Sequence, residues 1–396
     1  MPVRPTDPER HERIITVLRR SGLDGFLCSL PSQVLLLSGY WPVMGVSVAV
    51  FTAEGELHLI VPQDEEEIAE RSSHAQRTVF QPARLDAITD AQTAIRDPLI
   101  ELFRRLKLGS AKVGIETSQS FQPSSYAVMN VYLSGLHDLL RSSFPHLQLI
   151  PADRLFEELK AEKTRCELEK IRSAARIAQA AFEARSKQIE PGMREPEIAS
   201  RFQSAFEETR LAAGMQRGYG FFFCMSGPNA AKASAGYART RQRTIEDGDL
   251  VIIHCNSCGD GFWTDITRTY TAGSSDSKQR DSRQEDMHSA IMAARSAALS
   301  AIAPGVDARE VDRAARSVLE QQNFGSEFKH GTGHGVGFAA ANPNGLPRIH
   351  PKSPDVLAAG MTFNVEPAIY IDGYGGMRHC DMVAVTETGA EVLTDF

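Results

Sequence analysis

The segment His330-Gly331-Thr332-Gly333-His334-Gly335-Val336-Gly337 constrains the fold more than any other part of the chain. Its alternating glycines strip the Cβ from every second position, which lets another backbone, a metal or a substrate come close on that side. Its two imidazoles are four residues apart. On a strand an even offset returns both to one face, and on a helix the same offset also brings them together. The other chemistry-bearing segments are far away in sequence: Gly248 to His254, then Thr264-Asp265-Ile266-Thr267-Arg268-Thr269, then Asn364-Val365-Glu366-Pro367, then Gly375-Gly376-Met377-Arg378-His379-Cys380-Asp381. A hydrolytic metal site needs carboxylates and imidazoles that converge from separate strands and leave a coordination position open for water. Asp265, His334 and Glu366 are such a set, and Pro367 biases Glu366 toward an extended backbone.

The organisation around these segments changes near residue 155. From His11 to about Pro151 helical and strand patterns alternate: a helix over Arg10 to Ser21, strands over Asp24 to Leu30, Gly45 to Thr52 and Glu56 to Pro62, a helix over Asp97 to Leu108, and a strand at Lys112 to Glu116. That pattern predicts an α/β domain over residues 1–155. Residues 156–396 open with a long charged helix, Lys160 to Ala184. Further helices at Glu195 to Ala212, Arg283 to Ala303 and Asp307 to Gln322 flank strands at Leu250 to Asn256, Trp263 to Thr271, Met361 to Tyr370 and Met382 to Thr386. Helices grouped against antiparallel strands predict an α+β catalytic domain.

Composition excludes several functions. The balance of 43 basic and 50 acidic residues gives a net charge of −7 with no basic block, so nucleic acid is not the expected ligand. No apolar run approaches the roughly 18 residues that span a bilayer, so no membrane association is expected. Met1 to Arg13 is polar with no apolar run behind it, and the six cysteines lack the dense spacing of a secreted disulfide framework. A cytoplasmic protein with reduced thiols is the expectation. Tyr219-Gly220-Phe221-Phe222-Phe223 is expected to pack in the core.

In order and spacing, the five segments resemble the signatures of the pita-bread superfamily, which includes aminopeptidase P, prolidase, methionine aminopeptidase and the non-peptidase creatinase. The resemblance spans the chain, because the first 150 residues are similar to the smaller domain of the creatinase and prolidase branch. It implies a pita-bread catalytic domain, a small-molecule substrate and a homodimer. In the peptidases of this superfamily two Asp, one His and two Glu hold two metal ions. Carried over, the second Asp falls on Asp265, the His on His334 and the first Glu on Glu366. The first Asp falls on His254 and the last Glu on Cys380. The imidazole four residues before the metal His is kept as His330, whereas the other two catalytic positions fall on Ala341 and near Tyr237.

With two acids exchanged for a neutral imidazole and a thiol, a pair of dications would be poorly neutralised. The expectation is one divalent metal, Mn, Zn or Fe, on Asp265, His334 and Glu366 with His254 or Cys380, or no metal at all. Each position also has a plainer reading: His254 as a hydrogen-bonded core histidine and Cys380 as a small buried hydrophobe. His330 is expected to donate to an oxyanion or to the leaving nitrogen, with Glu366 as acid or base. His350 would replace the imidazole missing at Ala341, and Arg378 would hold a substrate carboxylate. The leading expectation is therefore a hydrolase of a C–N bond in a small amide or amidine, similar to creatinase and ectoine hydrolase. The alternatives are an Xaa-Pro dipeptidase or aminopeptidase with a modified metal centre, a lyase similar to dimethylsulfoniopropionate lyase, and a non-catalytic binding protein.

Overall fold

The computed structural model describes residues 6–43, 45–82, 90–117, 134–234, 239–273, 281–339 and 345–396. Two compact units divide the described residues after Lys160, at the end of a helix that includes residue 155. In the first unit, the elements run α1 (Pro8–Ser21), β1 (Gly25–Cys28), α2 (Pro31–Ser38), β2 (Val48–Thr52), β3 (Leu57–Pro62), α3 (Glu66–Ser72), β4 (Gln76–Phe80), α4 (Ala91–Arg105), β5 (Lys112–Ile115), α5 (Ser134–Ser143), β6 (Gln148–Pro151) and α6 (Asp153–Ala161). Asp7 caps α1 by accepting from the Arg10 N–H, and Gly22 ends it in the left-handed conformation. The six strands form one mixed sheet in the order β4-β3-β2-β1-β5-β6, whose central strands are buried along their whole length.

The second unit continues with α7 (Arg165–Arg185), α8 (Glu195–Ala212), β7 (Gly218–Ser226), β8 (Leu250–Gly259), β9 (Phe262–Thr271), α9 (Ser282–Ser300), α10 (Ala308–Gln321), β10 (Thr362–Val365), β11 (Ala368–Ile371), β12 (Gly375–Arg378), β13 (Asp381–Val385) and β14 (Ala390–Val392). The long helix expected from Lys160 to Ala184 is two helices. Thr164 accepts from the Glu167 N–H while Glu167 accepts from the Thr164 N–H, a capping box that starts α7 afresh after α6 ends.

Three antiparallel sheets carry the catalytic half: β7-β8-β9, β10-β13-β14 and β11-β12. The turn at Asp260-Gly261 joins β8 to β9 with both residues at positive φ, as a two-residue hairpin turn requires. The strand expected from Met361 to Tyr370 is instead two strands in different sheets. Pro367 has no N–H to give a ladder, so pairing stops at Glu366-Pro367 and the chain changes sheet there. The aromatic run on β7 does not all enter the core. Phe222 is buried among Phe182, Phe202 and Phe206, whereas Tyr219 and Phe221, on the alternate face, are exposed. No described helix is long and apolar enough to cross a membrane.

Candidate active site

The β8/β9 register places the first group of site residues. His254 pairs with Thr267 and Asn256 with Asp265. Because side chains alternate along a strand, Asp265 and Thr267 share a face, and the pairing brings His254 to both. His254 Nδ1 lies 2.9 Å from Thr267 Oγ1 and 3.6 Å from Asp265 Oδ1. Burial and the Arg378 guanidinium pull the His254 pKa down to about 4 against the opposing effect of Asp265, so the imidazole is neutral at physiological pH.

The glycine-rich run lies along β10. His334 N–H donates to Asn364 Oδ1 at 2.7 Å, Asn364 N–H to the His334 carbonyl at 3.1 Å, and Glu366 N–H to the Thr332 carbonyl at 2.8 Å. A Cβ at Gly333 would run into the Asn364 carbonyl, and one at Gly335 into the Leu346 carbonyl. The alternating glycines thus serve backbone contact. They bring His334 beside Asp265, with Nε2 3.7 Å from Oδ2. The carbonyl of Gly335 lies 3.2 Å from His334 Nδ1 and can only accept, so Nδ1 carries the proton and Nε2 is the acceptor.

A third strand pair completes the cluster. Thr267 and Cys380 exchange backbone hydrogen bonds, laying the start of β13 against β9. Cys380 is fully buried and its Sγ donates to the Asp265 carbonyl at 3.3 Å. Burial pushes the thiol pKa well above its ordinary value, with Asp265 and Glu366 adding to the effect, which keeps it protonated. Arg378 is also buried. It donates from Nε to Thr267 Oγ1 at 3.0 Å and from Nη1 to the Tyr370 hydroxyl at 3.4 Å, and its Nη1 is 3.8 Å from Glu366 Oε2. Burial opposes its charge, but the carboxylates of Glu366 and Asp265 favour it, and the guanidinium pKa is raised.

His330 sits on the other side of Tyr370. Its Nδ1 is 2.8 Å from the Gly331 carbonyl, which can only accept, so Nδ1 holds the proton. Its Nε2, 3.0 Å from the Tyr370 hydroxyl, therefore accepts. The expected donor role of His330 is reversed in this geometry: Arg378 donates to Tyr370, and Tyr370 donates to His330. Burial lowers the His330 pKa and favours the neutral ring that this chain requires. His350 does not join the cluster as a replacement imidazole. It is exposed, packs beside Gly331, and its Nδ1 accepts from the Lys352 N–H at 3.1 Å. Ala341 and Tyr237 lie outside the described residues. Arg268 is bound to Asp381 at 2.7 Å and to the Cys380 carbonyl at 2.8 Å, a structural arrangement.

Sequence reasoning passed over Tyr370, Thr267 and Asn364. Thr267 and Asn364 lie two residues from Asp265 and Glu366, a spacing that marks a shared strand face, but Tyr370 lies across the break at Pro367 and had no such signal.

The five positions expected to hold metal do not act as one ligand set. Among the described residues no three His, Cys, Asp or Glu side chains converge into a group that would hold an ion. Asp265 and His334 face each other, but the Cys380 thiol is engaged with the Asp265 backbone, His254 Nδ1 with Thr267, and Glu366 with the guanidinium side of the site. Structural and catalytic metal sites take at least three protein ligands. The residues present therefore do not fit the family's metal pair, and no chemical step is assigned to a metal below.

Comparison with known proteins agrees with this architecture. Residues 169–387 match the model of metallopeptidase family M24 and residues 10–161 match the creatinase/prolidase N-terminal domain. The chain belongs to metallopeptidase family M24, a family of pita-bread hydrolases. It is 29% identical over 386 residues to the Xaa-Pro dipeptidase of Pyrococcus furiosus, covering 98% of this chain and 97% of the relative. It is 30% identical over 272 residues to the Xaa-Pro dipeptidase of Lactobacillus helveticus, covering 68% and 70%. The solved prolidase from Pyrococcus furiosus superposes with a TM-score of 0.75 at 27% identity, covering 96% of this chain and 99% of that one.

Proposed function

We propose that the chain hydrolyses the C–N bond of a dipeptide, with Xaa-Pro dipeptides as the substrate class. The observation that carries this reading is the enclosed set of two acids, Asp265 and Glu366, against one guanidinium, Arg378. Formally this leaves one negative charge, which suits a small substrate bearing an ammonium group, as a dipeptide does. The likeness to Xaa-Pro dipeptidases over nearly the whole chain supports a dipeptide over the creatinase-like substrate that the sequence first pointed to.

Glu366 is the group placed to take a proton from water as the water oxygen bonds to the carbonyl carbon. It returns that proton to the nitrogen as the C–N bond breaks. Arg378 Nη1 is a prearranged donor beside Glu366, steadied by the Tyr370 hydroxyl that accepts from it, and a fixed donor there stabilises the negative charge that develops on the carbonyl oxygen. His330 holds the Tyr370 hydroxyl in place.

A second reading, hydrolysis of a non-peptide amide or amidine, is favoured by His254 and the protonated Cys380 on either side of Asp265. Release of proline from Gly-Pro and Ala-Pro, run beside creatine and a cyclic amidine, tests both. Proline release above the blank supports the first reading. Turnover confined to the amidines or creatine overturns it in favour of the second. A homodimer and a cytoplasmic location belong to the same proposal, and light scattering on the purified protein tests the dimer.

A further inference from the structure

We infer that Asp312 and Arg316, one turn apart on α10, are positioning residues that set His330 and Glu366 relative to one another. Neither touches the acids or imidazoles of the site. Asp312 is 1% exposed and accepts from both forks of Arg316, from Nε and Nη2, each at 3.0 Å. That fixes the guanidinium plane, whose remaining donors reach the glycine-rich run. Nη2 donates to the His330 carbonyl at 2.9 Å and Nη1 to the Phe328 carbonyl at 3.3 Å.

The guanidinium also lies over the Phe328 ring, 4.4 Å from its centroid, and Phe328 meets the His330 imidazole edge-on at 5.2 Å. Asp312 Oδ1 accepts from both the N–H and the hydroxyl of Thr332 at 2.9 Å. The Thr332 carbonyl in turn accepts from the Glu366 N–H at 2.8 Å. One helical turn thus holds the backbone on both sides of His330, packs a ring against its imidazole, and anchors the residue on which Glu366 hangs. A run with a glycine at every second position has little stiffness of its own, so its geometry comes from this outside clamp. The inference rests on the proposal that His330 orients Tyr370 for catalysis, but its structural part stands apart from any substrate.

The test is Arg316→Lys in the full-length protein. A lysine keeps the charge but has no planar fork to bind Asp312 and two carbonyls together. Two readouts are taken beside circular dichroism and a thermal melt. The first is the ¹⁵N imidazole spectrum of His330, assigned with His330→Ala. The wild-type ring is expected as the single Nδ1–H tautomer with Nε2 accepting a hydrogen bond, and the variant with displaced, averaged nitrogen resonances. The second is Gly-Pro hydrolysis, where kcat is expected to fall about 10²-fold with KM nearly unchanged, the cost of a misplaced catalytic group.

Arg172→Lys, which breaks the comparable Arg172–Glu391 fork between α7 and β14 of this unit, should move neither readout. A folded Arg316→Lys protein with native His330 resonances and native kcat overturns the inference. If the wild type hydrolyses no dipeptide, the proposed substrate fails while the spectrum still decides the clamp. If Arg316→Lys does not fold, Thr332→Val, which leaves Arg316 on Asp312, carries the same spectral test: displaced resonances support the clamp and native ones overturn it.

Discussion

Arg378 and Glu366 face each other across 3.8 Å between Nη1 and Oε2, the guanidinium buried and the carboxylate partly exposed, and the same Nη1 reaches the hydroxyl of Tyr370. One side chain therefore offsets the charge of the proposed base and supports the phenol that the imidazole of His330 accepts from. Arg378→Lys keeps the charge and loses the shared geometry. The expected outcome is a kcat lower by roughly 10²-fold or more on the dipeptide that the wild type cleaves, with the melting temperature little changed. Near-native kcat in this variant would show that the guanidinium acts only as a counter-charge.

Tyr370→Phe removes the donor that His330 Nε2 accepts and leaves the ring volume in place. Stability is expected to fall by only about 1 kcal/mol, the usual worth of one hydrogen bond, while kcat falls by about 10-fold to 10²-fold. Steady-state kinetics and a denaturant melt on the same preparation separate the two effects. Equal losses in both would reduce Tyr370 to a packing residue.

The purified wild type is expected to carry less than one equivalent of divalent metal after dialysis, and Mn or Zn should not shift its melting temperature. The double variant His254→Asp plus Cys380→Glu restores two acids beside Asp265 and is expected to take up metal and melt higher with it. Elemental analysis checks both. Two full-occupancy ions about 3.5 Å apart in the wild type would sink this expectation.

Asp381 is buried and accepts from Arg268 and Arg295 as well as His379. Burial alone would raise its carboxyl pKa, but His379 and the two guanidiniums hold it far below the ordinary range. Asp381→Asn leaves the buried Arg268 without its counter-charge, while Arg295 keeps Asp395, and should destabilise the protein by about 3–5 kcal/mol in urea melts. A depressed folded pKa contributes stability that is complete above the unfolded value near about 3.9 and is lost as pH falls below it. Wild type and Asp381→Asn should therefore converge in stability under acid. A constant gap down to pH 2 would assign the loss to packing alone.

Much of this protein was legible in its residues. The strands expected at 250–256 and 263–271 lie within β8 and β9, and the helix expected over 195–212 forms end to end. Local periodicity encodes which face of an element is buried, because side chains repeat every 2 or 3.6 residues. It does not encode which elements meet. That is why the sheet change at Pro367, which carries Tyr370 into another sheet, had no signal in the sequence, and why the exposed place of His350 beside Gly331 had none either. The reversed role of His330 depends on a carbonyl one residue away and a phenol 40 residues away. The clamp from Asp312 and Arg316 depends on α10 packing over the glycine-rich run. Contacts of that kind arise only when separate elements are pressed together, so tertiary packing decided them.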